Sequence, residues 1–280
     1  MADGVTASTG LVVLLGDPVG HSASPAIHNA AFQAQGLDLV YLACCVEAGR
    51  LGEAMAGLHA LGARGANVTI PHKSAALRHA DSASATAQAL GAANTLVRTE
   101  AGWHAENTDV DGFLEPLEPH AEAVKDGEVV VLGAGGAARA VVYGLLTRHA
   151  PSRLGVIARR PEQAEALLDD LAPYAGGTET RALPEVGDPS SAALLVNTTP
   201  LGMGDGRTPY DGPIREGQIV YDLVYRPAET PLLRAASASG ATTIGGLPML
   251  LGQAAASYRH WTGQQMPTDI ARDAALATFA

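Results

Sequence analysis

Short apolar runs alternate with helix-length stretches of mixed polarity along the first part of the chain. "LVVLLG" is followed by "SPAIHNAAFQAQG", "VYLACCV" by "AGRLGEAMAGLHALG", and then comes "GANVTI". This βαβα rhythm predicts a mainly parallel sheet covered by helices. A second series begins at "GEVVVLGAGGAARAVVYGLLTRH" and runs through "RLGVIARR", "PEQAEALLDDL", "AALLVN" and "GQIVYDLVY". Two helical patterns, "GLPMLLGQAAASYRHW" and "TDIARDAALATF", close the chain. Neither half carries a repeat period or a low-complexity linker, while "EPLEPHAEAVKDG" has the polar, proline-bearing composition of a connection near a boundary. Two α/β domains are expected.

Composition narrows the function classes. The 280 residues are 47% hydrophobic, enough for ordinary buried cores. No apolar run approaches the ~20 residues that span a bilayer. The opening "MADGVTASTG" is acidic and small, unlike a signal peptide, and is expected to be a loose tail. A formal net charge of −11 repels nucleic-acid phosphates, and no basic patch compensates. Cys44 and Cys45 are the only cysteines; they offer no disulfide framework or CxxC site, read as two small buried core thiols, and suit a reducing cytosol.

The second series opens with the most legible motif. Gly133, Ala134, Gly135, Gly136, Ala137 and Ala138 directly follow the strand "EVVVL" and run into an Ala-rich helix, fitting GxGxx(G/A) in strand-turn-helix context. A Cβ at Gly135 would hold the backbone away from a pyrophosphate, and the helix N-terminus offers free N–H groups to phosphate oxygens. The next strand ends "VIARR". An NAD site usually carries a carboxylate there for the ribose 2′-hydroxyl. Ala158 occupies roughly that position instead, and Arg159 and Arg160 can meet a 2′-phosphate with charge-assisted hydrogen bonds. NADP is therefore expected.

A dinucleotide domain leaves the substrate to the first half. In "NVTIPHK" the single Lys73 follows a loop proline at the end of a strand, and "GHSASPAIHN" places Ser22 and Ser24 in the turn after the first strand. With Ser24 as N-cap and Pro25 at the first helical position, hydroxyls and helix N–H groups would converge on an anion. "GAANT" puts Asn94 in a tight small-residue strand, and "NTDVDG" puts Asp109 at a turn opening the crossing into the second domain. Taken singly, each has a structural account as a cap, an Asx turn or a solvated charge.

Together, "GDPVGHSASPAIHN", "GANVTIPHK", "GAANT", "NTDVDG", "GAGGAAR", "NTTPLGM", "YDLVYRPAETPLL" and "GLPMLLGQA" resemble the shikimate dehydrogenase family, in order, from about Leu11 to the end. The resemblance implies a discontinuous substrate-binding domain, residues 1–107 with 247–280, and a Rossmann NADP-binding domain, residues 108–246, with the catalytic cleft between them. It implies reversible reduction of 3-dehydroshikimate to shikimate with NADPH, a cytoplasmic step of aromatic amino-acid biosynthesis. By position it assigns catalysis to Lys73 and Asp109, and substrate binding to Ser22, Ser24, Thr69, Asn94, Tyr225 and Gln253. Cofactor contacts fall on the Gly133 to Ala137 turn, on Ala158, Arg159 and Arg160, and on Leu223 and Gly246. The implied partner is the small-molecule substrate, with neither nucleic acid nor membrane, and the enzyme is a monomer or homodimer.

Two departures are local. Ala158, Arg159 and Arg160 stand where the family commonly has an Asn-Arg-Thr run, and Pro248 where a glycine is usual. Other motif readings are weaker. "GHSAS" misses the hydrolase elbow GxSxG at its last position, and "DVDG" lacks the remaining ligands of a calcium loop. The nine histidines show no metal spacing, so His21, His28, His72 and His104 are expected as turn or core residues, with Trp103 and Trp261 as packing residues. Rival functions are a quinate/shikimate dehydrogenase of broader specificity, and a non-catalytic paralogue that binds NADP and the acid without turnover.

Overall fold

The computed structural model describes residues 4–125, 127–184, 189–204 and 206–279. Contacts divide the chain into two compact units, Met1–Thr108 with Gln253–Ala280, and Asp109–Gly252. The first unit runs β1 (Gly10–Gly16), α1 (Ser24–Ala34), β2 (Leu39–Cys45), α2 (Leu51–Ala60), β3 (Gly65–Val68), α3 (Lys73–His79), β4 (Ser82–Ala83), α4 (Ala85–Leu90), β5 (Thr95–Thr99) and β6 (Gly102–Glu106). The second runs α5 (Asp109–Leu114), α6 (Ala121–Lys125), β7 (Glu128–Leu132), α7 (Gly136–Gly144), β8 (Arg153–Ile157), α8 (Pro161–Leu171), β9 (Glu179–Leu183), β10 (Leu194–Asn197), β11 (Ile219–Asp222), α9 (Pro231–Ala238) and β12 (Thr242–Ile244). The cut at Gly252 falls within α10 (Gly246–Thr262), and α11 (Thr268–Ala277) ends the first unit.

The first unit's sheet has the order β2-β1-β3-β5-β6-β4. β1 pairs in parallel with β2 and β3, whereas β5 is antiparallel to both β3 and β6. On one face Val13, Leu15, Ala66, Val68 and Leu96 pack with Leu51 and Met55 of α2 and with Trp103. Tyr41, Ile27, Phe32 and Tyr258 are among the largest fully buried side chains, and α1 packs against α11. The second unit's sheet, β12-β11-β10-β7-β8-β9, is parallel throughout. Val130, Leu132, Leu195 and Val220 supply its core beneath Leu232, Leu233 and Ala236 of α9.

Several expectations change. The expected loose tail is tied down where it is described: the hydroxyls of Ser8 and Thr9 donate to the Asp38 carboxylate at 2.7 and 2.6 Å, and Gly10 already belongs to β1. Residues 1–3 lie outside the described set. "EPLEPHAEAVKDG" is no connection, because Leu117 and Val124 are fully buried in the 3-10 turn Glu115–His120 and in α6; its Asp126 is not described. Cys44 is half-buried and Cys45 exposed, since β2 is an edge strand, and the Cys45 thiol donates to Asp17 Oδ1 at 3.3 Å. Thr108 sits with the first unit because its N–H donates to Asn94 Oδ1 at 2.8 Å. Residues 247–252 sit with the second, where a Cβ at Gly252 would lie 3.0 Å from Gly112 Cα.

Candidate active site

In open α/β sheets, ligands lie beyond the carboxyl ends of strands, where neighbouring connections leave in opposite directions. In the first unit β1 has β2 on one side and β3 on the other. The Ser22–Ser24 turn follows β1, and Thr69 to Lys73 follow β3. Ser24 is the first residue of α1 rather than its cap; Ala23 holds the cap position without a side-chain bond. The Ser22 hydroxyl takes up the task by accepting the Ser24 N–H at 3.2 Å. Asp109 is likewise the first residue of α5, and buried, rather than part of a turn.

A continuous polar network joins two of the expected residues, Asn94 and Gln253, inside this unit. It starts at the buried Tyr41 phenol, whose ionisation burial pushes strongly upward. Tyr41 then donates to Asn67 Oδ1 at 2.7 Å. The Asn94 carbonyl, which can only accept, fixes the other end of Asn67 as Nδ2, and this nitrogen donates to it and to Thr95 Oγ1 and Ser257 Oγ at 3.0–3.1 Å. The Thr95 hydroxyl donates to Asn94 Oδ1 at 3.0 Å, and that oxygen also accepts the Thr108 N–H. Asn94 Nδ2 is thereby turned toward Gln253 Oε1, at 3.3 Å. Thr95, Thr108 and Ser257 are at most 1% exposed, so their hydroxyls take their partners from within the protein.

Lys73 is half-buried at the start of α3, and its carbonyl accepts the Ala93 N–H at 2.9 Å, which ties it to the chain just before Asn94. The adjacent His72 is buried, with Nε2 2.6 Å from the Val46 carbonyl oxygen. Thr69 is half-buried, with its N–H on the Leu15 carbonyl at 2.8 Å. Asp109 and the half-buried Tyr225 belong to the second unit.

In that unit the strand order places the reversal between β7 and β10. Gly133 leaves β7 with φ +108°, and a Cβ there would lie 2.5 Å from Thr198 Oγ1. Only glycine fits both demands. Gly135 caps α7, and a Cβ at Gly135 or Gly136 would meet nothing within 4 Å, so the backbone N–H groups of the first helical turn face open space. Ala158 is buried at the end of β8, with Arg159 and Arg160 exposed beyond it. This arrangement fits a dinucleotide with its pyrophosphate at the glycine turn. Leu223 and Gly246 meet across the neighbouring strand end, where a Cβ on Gly246 would lie 2.2 Å from the Leu223 carbonyl oxygen.

A buried carboxylate holds these loops. Asp222 accepts Asn197 Nδ2 at 2.8 Å, the Val224 N–H at 3.1 Å and the Thr230 hydroxyl at 2.6 Å. Burial raises its carboxyl above the ordinary range, and the three hydrogen bonds pull it back. Thr230 also accepts the Leu233 N–H as the cap of α9.

The chain matches the sequence pattern of the shikimate dehydrogenase substrate binding domain over residues 14–96 and that of the shikimate 5′-dehydrogenase C-terminal domain over residues 246–276. The shikimate dehydrogenase (NADP(+)) of Salinibacter ruber is 50% identical over 280 residues, 97% of this chain and 98% of its own. The chain belongs to the shikimate dehydrogenase family. A shikimate dehydrogenase crystallised in complex with NADP+ matches with TM-score 0.93 at 35% identity, over 100% of this chain and 99% of that one. A quinate dehydrogenase from Corynebacterium glutamicum in complex with NAD matches with TM-score 0.89 at 34% identity, over 96% and 99%.

Within this shikimate dehydrogenase fold, Asn67, Thr95, Thr108 and Ser257 escaped the sequence reading. Asn67 and Ser257 are polar letters inside apolar or small-residue runs, "GANVTI" and "QAAASY", and that is itself a signal, because a polar side chain on a buried face must find partners. Thr95 and Thr108 each follow an asparagine, in "GAANT" and "NTDVDG", and carry no such signal.

Proposed function

We propose that this chain catalyses the reversible NADPH-dependent reduction of 3-dehydroshikimate to shikimate, with the first unit binding the substrate and the second the cofactor. The observation that carries the reading is the directed network from Tyr41 to Gln253, built beside Lys73 in the unit that matches the substrate binding domain. A polyhydroxy acid needs neutral donors and acceptors held at fixed angles, and this network presents Asn94 and Gln253 in that way.

Reduction of a ketone requires a hydride at carbon and a proton at the oxygen where charge accumulates. Bound NADPH supplies the hydride. The Lys73 ammonium stabilises the developing alkoxide and gives its Nζ proton to that oxygen; in the reverse direction Nζ takes the proton back. Asp109 hydrogen-bonds the reacting hydroxyl and orients Lys73. Ser22 and Ser24 hold the carboxylate, Thr69, Asn94 and Gln253 the ring hydroxyls, and Tyr225 completes the pocket. The turn from Gly133 through Ala134, Gly135 and Gly136 to Ala137 holds the pyrophosphate, Arg159 and Arg160 the 2′-phosphate, and Leu223 and Gly246 flank the nicotinamide. Ala158 leaves no carboxylate to repel the phosphate.

Lys73→Ala is expected to lower kcat by ~10²-fold or more, with NADP+ affinity within about twofold of wild type. Near-wild-type turnover would remove Lys73 from the mechanism. The likeness to a quinate dehydrogenase keeps broader acid specificity as a second reading. Steady-state rates with shikimate and quinate, each with NADP+ and NAD+, separate the two, and no turnover with any pair would leave a binding protein. No helix among the described residues is long and apolar enough to cross a membrane. A cytoplasmic monomer or homodimer completes the proposal.

A further inference from the structure

A cavity of about 830 Å³ opens in the first unit at the opposite strand ends from Lys73 and Asn94. Arg64, Arg98, His59 and His260 line it, with Trp261 and Glu100. Such a lining is unexpected in a chain with 29 carboxylates against 18 lysines and arginines. Arg50, Arg139, Arg153, Arg181 and Arg272 each meet a carboxylate. Among the described residues Arg64 makes no side-chain hydrogen bond or ion pair, and Arg98 has only a long contact, 3.5 Å, to the His59 carbonyl. Two exposed guanidinium forks that share one cavity leave donor capacity unused, which is the chemistry that recognises an oxyanion. Glu100 is the acceptor in the same lining, suited to a hydroxyl on the ligand.

The cavity is built on the elements that carry the polar network. β3 starts at Gly65, next to Arg64, and ends just before Thr69; β5 starts at Thr95 and carries Arg98; α10 carries both Gln253 and His260. Four strand residues advance ~13 Å and seven helical residues ~10 Å, so each element spans from one site to the other. At the cavity the three are locked together. The Trp261 indole donates to the Leu96 carbonyl of β5 at 3.1 Å, and a Cβ at Gly65 of β3 would lie 2.1 Å from the same indole nitrogen.

We propose that this cavity is a second ligand site, for a small hydroxylated organic phosphate, and that its occupancy shifts substrate affinity through β3, β5 and α10. The test is calorimetric titration of the full-length chain, saturated with NADP+ so that its phosphate-binding groups are filled. The probes are glycerol 3-phosphate and inorganic phosphate, with chloride added to match ionic strength. Saturable binding of glycerol 3-phosphate, weakened at least tenfold in the double variant Arg64→Ala/Arg98→Ala, is expected, together with weaker binding of inorganic phosphate. The KM for shikimate should shift at least twofold with glycerol 3-phosphate in wild type and stay constant in the double variant. Absence of saturable binding, or equal binding by both proteins, would overturn the site; binding with no change in KM would overturn the coupling. Both arginines lie outside the proposed catalytic machinery, so the double variant should turn over shikimate like wild type without the probe. A negative titration would therefore leave the dehydrogenase assignment standing.

Discussion

At the residue scale, the sequence exposes chemistry more readily than geometry. Lys73 and the glycines were legible because a lone charge after a loop proline and a glycine triplet after a strand each break the local pattern. Thr95 was not, because its place depends on partners 28 residues away at Asn67 and 162 away at Ser257. Its hydroxyl does two things at once: it accepts from Asn67 Nδ2 and donates to Asn94 Oδ1. Thr95→Val keeps the volume but removes one acceptor from Asn67 Nδ2, which keeps the Asn94 carbonyl and Ser257 Oγ, and one donor from Asn94 Oδ1, which keeps the Thr108 N–H, a net loss of ~0.5–1.5 kcal/mol. Because the loss falls on the groups proposed to hold ring hydroxyls, we expect the KM for shikimate to rise about tenfold while that for NADP+ stays within about twofold, with Thr95→Ser restoring most of it. A KM for shikimate unchanged by Thr95→Val would reduce the network to a structural role. Ser24 and Cys45 were misplaced for a related reason: which serine caps, and which of two adjacent thiols faces out, are decided by helix phase and by the edge position of β2.

At the element scale, the buried parallel strands were readable as apolar runs, whereas β4, β9 and β12 were not. β4 has two residues, β9 is a half-exposed sheet edge reading "ETRAL", and β12 is a three-residue edge, so none carries a continuous apolar signal. The β5–β6 hairpin was also hidden, since it turns an otherwise parallel series antiparallel around Gly102, whose φ is +134°. Helix α1 and strand β2 meet through a ring cluster that no linear pattern reveals. His28 stacks on Tyr41 at 4.5 Å and lies 5.3 Å from Trp261, 1% exposed. Burial pulls its imidazole from the ordinary 6.5 down to about 3. Between those values the unfolded chain binds a proton that the folded one refuses, so this group's contribution is complete above pH 6.5 and falls as the solution is acidified. The slope is ~1.4 kcal/mol per pH unit, or about 2 kcal/mol between pH 7 and pH 5. Urea unfolding at both pH values should show that extra acid loss in wild type and not in His28→Leu. Parallel losses in the two proteins would mean that His28 is protonated in place.

At the scale of the whole molecule, a chain of net charge −11 must bind an anionic cofactor. Its long-range field opposes the encounter, but at ~0.1 M salt that field is screened beyond ~10 Å, and contact pairs decide affinity. Three arginines lie near the dinucleotide turn in sequence, and they are not equivalent. Arg139 of α7 is engaged by Asp170 of α8, whereas Arg159 and Arg160 are exposed and make no side-chain hydrogen bond or ion pair among the described residues. The free pair follows β8, where the buried Ala158 puts no carboxylate in the way. If these two guanidiniums hold the 2′-phosphate, each charge-assisted hydrogen bond is worth ~1.5–3 kcal/mol before exposure and side-chain ordering reduce it. Arg159→Ala/Arg160→Ala should then raise the Kd for NADP+ about 30- to 100-fold and leave that for NAD+ within about twofold. Raising salt from 0.02 to ~0.15 M should weaken NADP+ binding more in wild type than in the double variant, because only wild type has the local attraction to screen. Equal losses for both dinucleotides would place the arginines in general phosphate attraction, and no loss for either would move the 2′-phosphate to other groups around the strand ends.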